Sequence, residues 1–453
     1  MKMKWRNRII LLLMLSSVLL SACAEKEQMS DDPLTGPSEP SINSSMYYQA
    51  DEGELDVDAS LKVQEITKEQ ALQAGKTILT MVSSGGANDP TRLAVKGFNQ
   101  ENEKYFVDLT ISPMGAELRD TRLKLQIEVG SGKGPDIMSV DVFPVNYEML
   151  EKGTFVNLAP YMQASGITEE KYFPYYADLR FEDNVYGICP TGSVGVLAVK
   201  SNVLGGEEIK DIECFVDKLL EYPENGCFFF EQETGSSIVE YLIAGSEDLW
   251  GIIDWEKRQC DFSNELFGKI LDVAKRYSEN AKKGYEPITE SFLPYVGIFP
   301  GKKAIEEQGW TLINYFFDDG CHPKYYSNSA LMINSNSEHV DGAWAFLSYL
   351  MSKKGQNLKG GSYSVHKELF TESVENDFKR VETGELQMTV EMTEEIVADI
   401  IELHSTGHFI PRRTDDVRNI IYDEAEAFFS GEKSKEEVCS LIQNRVQLLL
   451  MEQ

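Results

Sequence analysis

Thr77-Ile78-Leu79-Thr80-Met81-Val82-Ser83-Ser84-Gly85-Gly86 opens the run of sequence that decides the fold. Thr77 to Val82 is a short apolar stretch of strand type, and Ser83 to Gly86 reads as the loop after it. Asp89-Pro90 marks a helix start, because Asp accepts from free N–H groups and Pro suits the first helical position. That helix runs to about Asn102, with Leu93, Ala94, Gly97 and Phe98 along one side. Tyr105 to Ile111 is a second strand. Gly115 to Val129 is a second helix, with Leu118, Arg122, Leu125 and Val129 at helical spacing. Gly130 to Pro135 breaks it, and Asp136 to Val140 is a third strand. Strand, helix, strand, helix, strand predicts an α/β layer around a mainly parallel sheet. In such sheets ligands sit in loops beyond the carboxyl ends of the strands. Ser83–Gly86 and Ser139–Pro144 are two such loops.

Upstream of this run the chain has the marks of export. Lys2, Lys4, Arg6 and Arg8 precede an uncharged stretch from Ile9 to Leu20. The stretch is short for a bilayer span, so a cleaved signal over residues 1–22 is expected rather than a membrane helix. Leu20-Ser21-Ala22-Cys23 resembles the lipobox of bacterial lipoproteins. The resemblance implies a lipid on the Cys23 sulfur and anchoring to the outer face of the cell membrane. Residues 23–75 are rich in Ser, Pro, Gly, Asp and Glu and read as a flexible acidic tether, with room for a short helix around Thr67 to Ala74.

The remaining length exceeds one typical core and calls for two domains. The net charge is −31 over 453 residues, which argues against nucleic acid as a partner and for solubility outside the cell. Apart from Cys23, six cysteines occur without a C-x-x-C pair or metal-ligand spacing, and free, partly buried thiols are expected. His404 and His408 are four residues apart, but no HExxH surrounds them and Gly407 weakens a helix there. No metal ligand and no cofactor are assigned. The Gly130–Gly134 run lacks Walker spacing, and there is no G-x-S-x-G elbow.

Gly132-Lys133-Gly134-Pro135-Asp136-Ile137 resembles a segment of extracellular solute-binding protein family 1, the substrate receptors of bacterial ABC importers. Gly153-Thr154-Phe155-Val156-Asn157-Leu158-Ala159-Pro160-Tyr161 and Asp183-Asn184-Val185-Tyr186-Gly187-Ile188-Cys189-Pro190 resemble two later family segments. Asn157 stands where the family often has Asp, and Cys189 replaces its usual Pro or apolar residue. Gly301–Trp310, Asn334–Leu347 and Glu424–Val446 continue the resemblance, in family order, through most of the chain. It implies an α/β, two-lobed periplasmic-binding-protein-like fold, with a hinge between the lobes and the ligand cleft at their interface. Lobe one would hold residues 76–186 and 329–370, and lobe two residues 187–328 and 371–453. It implies binding without catalysis of a carbohydrate, a mono- or oligosaccharide. The partners would be ABC permease subunits, with the chain acting as a monomer.

A sugar cleft needs flat aromatic faces and hydrogen-bonding side chains. The candidates are Trp310, either in the cleft or packed in lobe two, and Trp250 and Trp255, which flank Gly251 and Asp254 in a hairpin, where one either reaches the cleft or packs locally. Asp141 reads either as a hydroxyl acceptor or as a helix cap. Ser84 and Asn88 stand in the first loop, and Tyr186 at the lobe crossing. Arg412, beside Arg413, reads as a ligand contact or as one side of a solvated salt bridge. Trp344 belongs to the core. The adjacent phenols Tyr175-Tyr176 and Tyr325-Tyr326 leave ferric ion open as a rival ligand. Peptide or polyamine is another rival, and a surface glycosidase with two carboxylates across a cleft is a third.

Overall fold

The computed structural model describes residues 47–49, 65–84, 90–113, 116–181, 183–222, 225–228, 234–294, 299–328, 330–358, 364–388 and 391–452. The signal segment, Cys23, most of the expected tether and Asn88 lie outside the described residues. The strands are β1 (Thr77–Ser83), β2 (Tyr105–Ile111), β3 (Ile137–Ser139), β4 (Ala177–Phe181), β5 (Asn184–Ile188), β6 (Thr191–Lys200) and β7 (Ile253–Asp254). They continue with β8 (Gln259–Cys260), β9 (Thr289–Phe292), β10 (Trp310–Ile313), β11 (Tyr315–Phe317), β12 (Gly320–His322), β13 (Lys324–Asn328) and β14 (Leu331–Ile333).

The opening run folds as its pattern predicts. Helix Pro90–Glu101 joins β1 to β2, and helix Ala116–Gly130 leads to β3. β1 pairs in parallel with both β2 and β3. The sheet they belong to has the order β2-β1-β3-β14-β5-β4. Its other pairings, β3–β14, β14–β5 and β5–β4, are antiparallel. The sheet is therefore mixed rather than mainly parallel. The extra strands come from distant parts of the chain, β4–β5 as a tight hairpin and β14 on return, so no crossover helix forces them parallel.

Asp136 ties this sheet together. The Thr80 N–H and hydroxyl both donate to its Oδ2, at 2.7 and 2.8 Å. The Ser337 hydroxyl donates to Oδ1 at 2.6 Å. One buried carboxylate thus joins β1, β3 and the turn before helix Val340–Met351. Gly134, just before it, has φ +106°. A side chain there would be strained and would crowd Val129.

Helix Val340–Met351 carries Ala343, Phe346, Leu347 and Leu350 at amphipathic spacing, yet residues 342–351 are all buried. Its outer face is covered by Tyr47 and Tyr48, from the stretch read as tether. The Tyr47 hydroxyl donates to Asp341 Oδ1 at 2.9 Å, and the Tyr48 N–H donates to Ser348 Oγ at 3.2 Å. The Tyr47 ring meets Tyr161 and Trp344 edge-on, and Tyr48 meets Tyr349. Burying these rings gives that short segment an apolar hold. The short helix foreseen near Thr67 is Lys68–Gln73, with Thr67 and Gln70 forming a capping box. Ser434 and Glu437 form another capping box, ahead of helix Lys435–Glu452. Trp344 is fully buried, its indole N–H on Ser165 Oγ at 3.1 Å.

Two hydrophobic clusters lie on either side of the crossing strands. One gathers Leu125, Met138, Phe143, Leu150, Leu179, Tyr186 and Met332 around the six-stranded sheet. The other gathers Leu197, Phe215, Ile238, Ile270, Val417 and Ile442 from β6 and five helices, Ile212–Glu221, Gly235–Ile243, Glu265–Lys282, Asp415–Phe429 and Lys435–Glu452. β6 links the two. Its first half pairs with β13, from Thr191 with Asn328 to Gly195 with Lys324. Its second half pairs with β9 and β10. Cys189-Pro190 connects β5 to β6, and β13 returns to the first sheet at β14. A third passage is the run 407–414, between helix Glu394–Thr406 and helix Asp415–Phe429. There the His408 N–H donates to the Pro323 carbonyl, and the Tyr325 N–H to the His408 carbonyl, both at 2.8 Å.

Candidate ligand cleft

The loops at the carboxyl ends of β1 and β3 come together. The Ser84 hydroxyl donates to Asp141 Oδ2 at 3.0 Å. The Ser139 hydroxyl reaches the same oxygen at 3.3 Å. Arg122 projects from helix Ala116–Gly130 and donates to the Asp141 carbonyl at 2.6 Å. A carboxylate, two hydroxyls and a guanidinium therefore share one edge of the sheet. Ser139 and Arg122 escape a sequence reading for the site: one lies inside a strand, the other at a helical spacing that suggests packing.

A second group lies further along the same cluster. Tyr147, at the start of helix Tyr147–Glu151, packs on Phe181 with ring centroids 5.1 Å apart. Asp178 in β4 is almost fully buried and receives Arg412 at 3.1 Å. The Leu179 N–H donates to its other oxygen at 2.7 Å. Of the two readings of Arg412, the geometry realises an ion pair, and with a buried carboxylate rather than at the solvated surface. Arg413 is the bridging residue. Its guanidinium carbon lies 5.5 Å from the Tyr147 ring centre and 4.5 Å from that of Trp255. Tyr147 adjoins the first cluster and Trp255 packs on the second, so one cation touches aromatic faces on both sides of the crossing.

Arg418 holds the run that carries these arginines. It donates to the Pro411 carbonyl at 3.0 Å and to Thr414 Oγ1 at 2.8 Å, and it pairs with Asp415. Burial pushes the Asp415 carboxyl up, and the nearby guanidinia of Arg418 and Arg412 oppose that rise. Lys324 is half-buried beside β6, 4.7 Å above the Tyr326 ring and 5.5 Å from that of Tyr315. Burial lowers its pKa, while Glu240 works the other way.

The other sequence candidates go elsewhere. Tyr186 is 7 % exposed and packs within the first cluster. Trp250 packs on the second cluster, with its indole N–H on the Leu242 carbonyl at 3.0 Å. It precedes the β7–β8 hairpin at a positive φ of 62°. Trp310 begins β10 opposite Lys200, at the far end of β6 from the crossing. At strand rise that end is about 30 Å from Thr191. Ser84 and Asp141 are brought together; Trp250 and Trp310 do not join them.

The tyrosine pairs do not build an iron cage. The Tyr175 hydroxyl meets His404 Nδ1 at 3.0 Å, and the Tyr325 hydroxyl donates to the His404 carbonyl at 3.2 Å. Burial pushes the phenols of Tyr176, Tyr325 and Tyr326 up, away from the phenolate that ferric ion needs. The six cysteines among the described residues are unbridged. A separate groove of about 630 Å³ lies by helices Glu265–Lys282 and Lys435–Glu452. Its polar lining is already paired, Lys435 with Asp272 at 2.6 Å and Gln443 with the Phe262 N–H and the Cys260 carbonyl. No helix among the described residues is long and apolar enough to cross a membrane.

No family model matches the chain, and no curated protein matches it in sequence. Solved structures do match. The sugar-binding protein MalE of Xanthomonas citri superposes with TM-score 0.54 at 14 % identity, over 83 % of this chain and 98 % of its own. The GacH receptor of Streptomyces glaucescens, solved unliganded and with acarbose, gives TM-score 0.51 at 15 % identity, over 83 % and 99 %. The chain has the two-lobed periplasmic-binding-protein fold. The solute-binding fold accounts for the two clusters and the three passages between them. A structure of a de novo designed esterase also matches, with TM-score 0.50 at 12 % identity, over 83 % and 98 %, so the solute-binding fold alone does not assign or exclude chemistry.

Proposed function

We propose that the chain is an extracytoplasmic, lipid-anchored receptor that captures a carbohydrate and delivers it to the permease of an ABC importer. The observation that carries this reading is Arg413 between Tyr147 and Trp255, next to the Arg412–Asp178 pair. Aromatic faces stack on the C–H face of a pyranose, and charged groups bond its hydroxyls. The similarity to sugar-binding solute receptors supports the same ligand class. Ser84 and Asp141 would add hydroxyl contacts from the loops after β1 and β3. The lobe boundaries are proposed at 186/187 and 328/329, and the third, expected at 370/371, is moved to the run 407–414, because helix Lys367–Glu382 runs unbroken across 370/371. Solute would shift the population toward a closed form by motion about β6, β13 and the run 407–414. No catalytic step is assigned: Asp141 and Asp178 are both held by donors.

Titrating the purified protein with oligosaccharides while following tryptophan fluorescence tests the site. A saturable change that disappears in Trp255→Ala and weakens at least tenfold in Arg413→Ala is the expected result. Saturable binding untouched by both variants would move the site elsewhere. The anchor is tested separately: Cys23→Ala should release the protein from the membrane fraction, and retention there would overturn lipidation at Cys23.

A further inference from the structure

The β11–β12 hairpin and the run 407–414 bring together three side chains that the solute site does not use. His408 Nε2 lies 3.1 Å from Asp319 Oδ2, and His322 Nε2 lies 3.4 Å from Asp319 Oδ1. One donor atom from each residue falls within 4.8 Å of the other two. We propose that Asp319, His322 and His408 bind a divalent transition-metal ion of the zinc class.

The spacing suits such an ion. Donors at ~2.1 Å around a tetrahedral zinc lie a few ångströms apart, which small rotations of these side chains reach. The two imidazoles stack with centroids 3.7 Å apart and planes 20° apart, and the Nε2 of each faces the Asp319 carboxylate; sharing one ion tilts the two rings apart until both planes contain it. His322 Nε2 is a buried atom without a hydrogen-bond partner, and so is His408 Nδ1. An ion would satisfy the first directly and leave the second for an outer partner or water. The scaffold is already fixed. His408 is held by its two backbone hydrogen bonds to the β13 strip. The Phe317 ring lies against both imidazoles, at 6.1 and 5.3 Å. Two imidazoles and one carboxylate favour zinc, nickel or copper over magnesium or calcium, which prefer oxygen alone. Three protein ligands leave one position open, and the cluster's edge is exposed enough for water to fill it.

Asp319 and His322 belong to the hairpin, whereas His408 belongs to the passage that carries Arg412 and Arg413 a few residues on. An ion would staple one to the other and stiffen the base of the moving joint. The sequence conceals this site, because His408 draws attention to His404 four residues away. His404 is instead buried, with Nδ1 on Tyr175 and Nε2 3.3 Å from the Pro294 carbonyl.

The test uses tag-free protein stripped with a chelator and titrated with zinc chloride alone, without sugar, so it stands apart from the solute reading. One ion per chain is expected. Affinity should fall by more than the ~100-fold that losing an outer-shell partner can cost in both His322→Ala and His408→Ala. Zinc should raise the melting temperature of the wild type and leave both variants unchanged. Apo variants that melt like the apo wild type separate lost binding from lost folding. Cobalt substitution should give visible bands of nitrogen and oxygen ligation without a thiolate charge-transfer band. No binding, binding unchanged in both variants, or a thiolate band would overturn the site.

Discussion

At the scale of single residues, two buried groups make measurable claims. Asp178 is 4 % exposed and its cationic partner comes from the far passage. Removing that partner takes away the guanidinium facing this buried carboxylate. Arg412→Ala should therefore cost about 3 kcal/mol in denaturant unfolding, and Asp178→Asn in the same background should recover part of it. His404 is held neutral: burial pulls its pKa down to about 4. The unfolded chain binds a proton there from about pH 6.5 downward, and the folded chain does not. Stability from this group is complete above pH 6.5 and drains away as pH falls toward 4, by ~3 kcal/mol in all. Compared with His404→Gln, the wild type should lose stability more steeply across that window; equal slopes would refute the assignment.

Sequence reading at this scale brought side chains together where their placement follows from loops at strand ends. Ser84 and Asp141 stand at strand ends and meet as their places suggest. It did not foresee contacts between residues distant in sequence. Trp310 and Trp250 attract attention by size, but one sits at the outer end of β10 and the other on the second core. The aromatic faces that do converge, Tyr147 and Trp255, are linked by Arg413, more than a hundred residues away in sequence. Nothing local to Tyr147 announces that contact.

At the scale of elements, the β1-to-β3 run was legible almost to the residue, because apolar runs, Asp-Pro and glycine breaks mark each boundary. The antiparallel half of the sheet was not, since β4, β5 and β14 are recruited from far along the chain. Nor was the burial of helix Val340–Met351 on every side, which depends on Tyr47 and Tyr48 arriving from a polar stretch. Deleting that aromatic pair, as Tyr47→Ser with Tyr48→Ser, should lower the melting temperature by several degrees while the fold persists. The crossing is sensitive to crowding. Gly192 opens β6 directly against the Tyr175 ring, so an added methyl there must push the ring aside. Gly192→Ala should cost about 1–3 kcal/mol.

At the scale of the molecule, two clusters joined by three passages are what a hinged receptor requires, and the ordered family-like segments made that outline legible before any contact was known. The identity of the solute was not legible, because it is set by a few convergent side chains rather than by the fold. A receptor reading demands that solute bind the folded protein and stabilise it by mass action. The most direct measurement is a thermal-shift screen of the protein lacking residues 1–23 against mono- and oligosaccharides. A glycan at 100 times its dissociation constant should add about 2.7 kcal/mol and raise the melting temperature by a few degrees, an effect absent in Trp255→Ala. A flat response to every glycan, with a clear shift from a peptide or polyamine set, would contradict carbohydrate capture while leaving the fold intact.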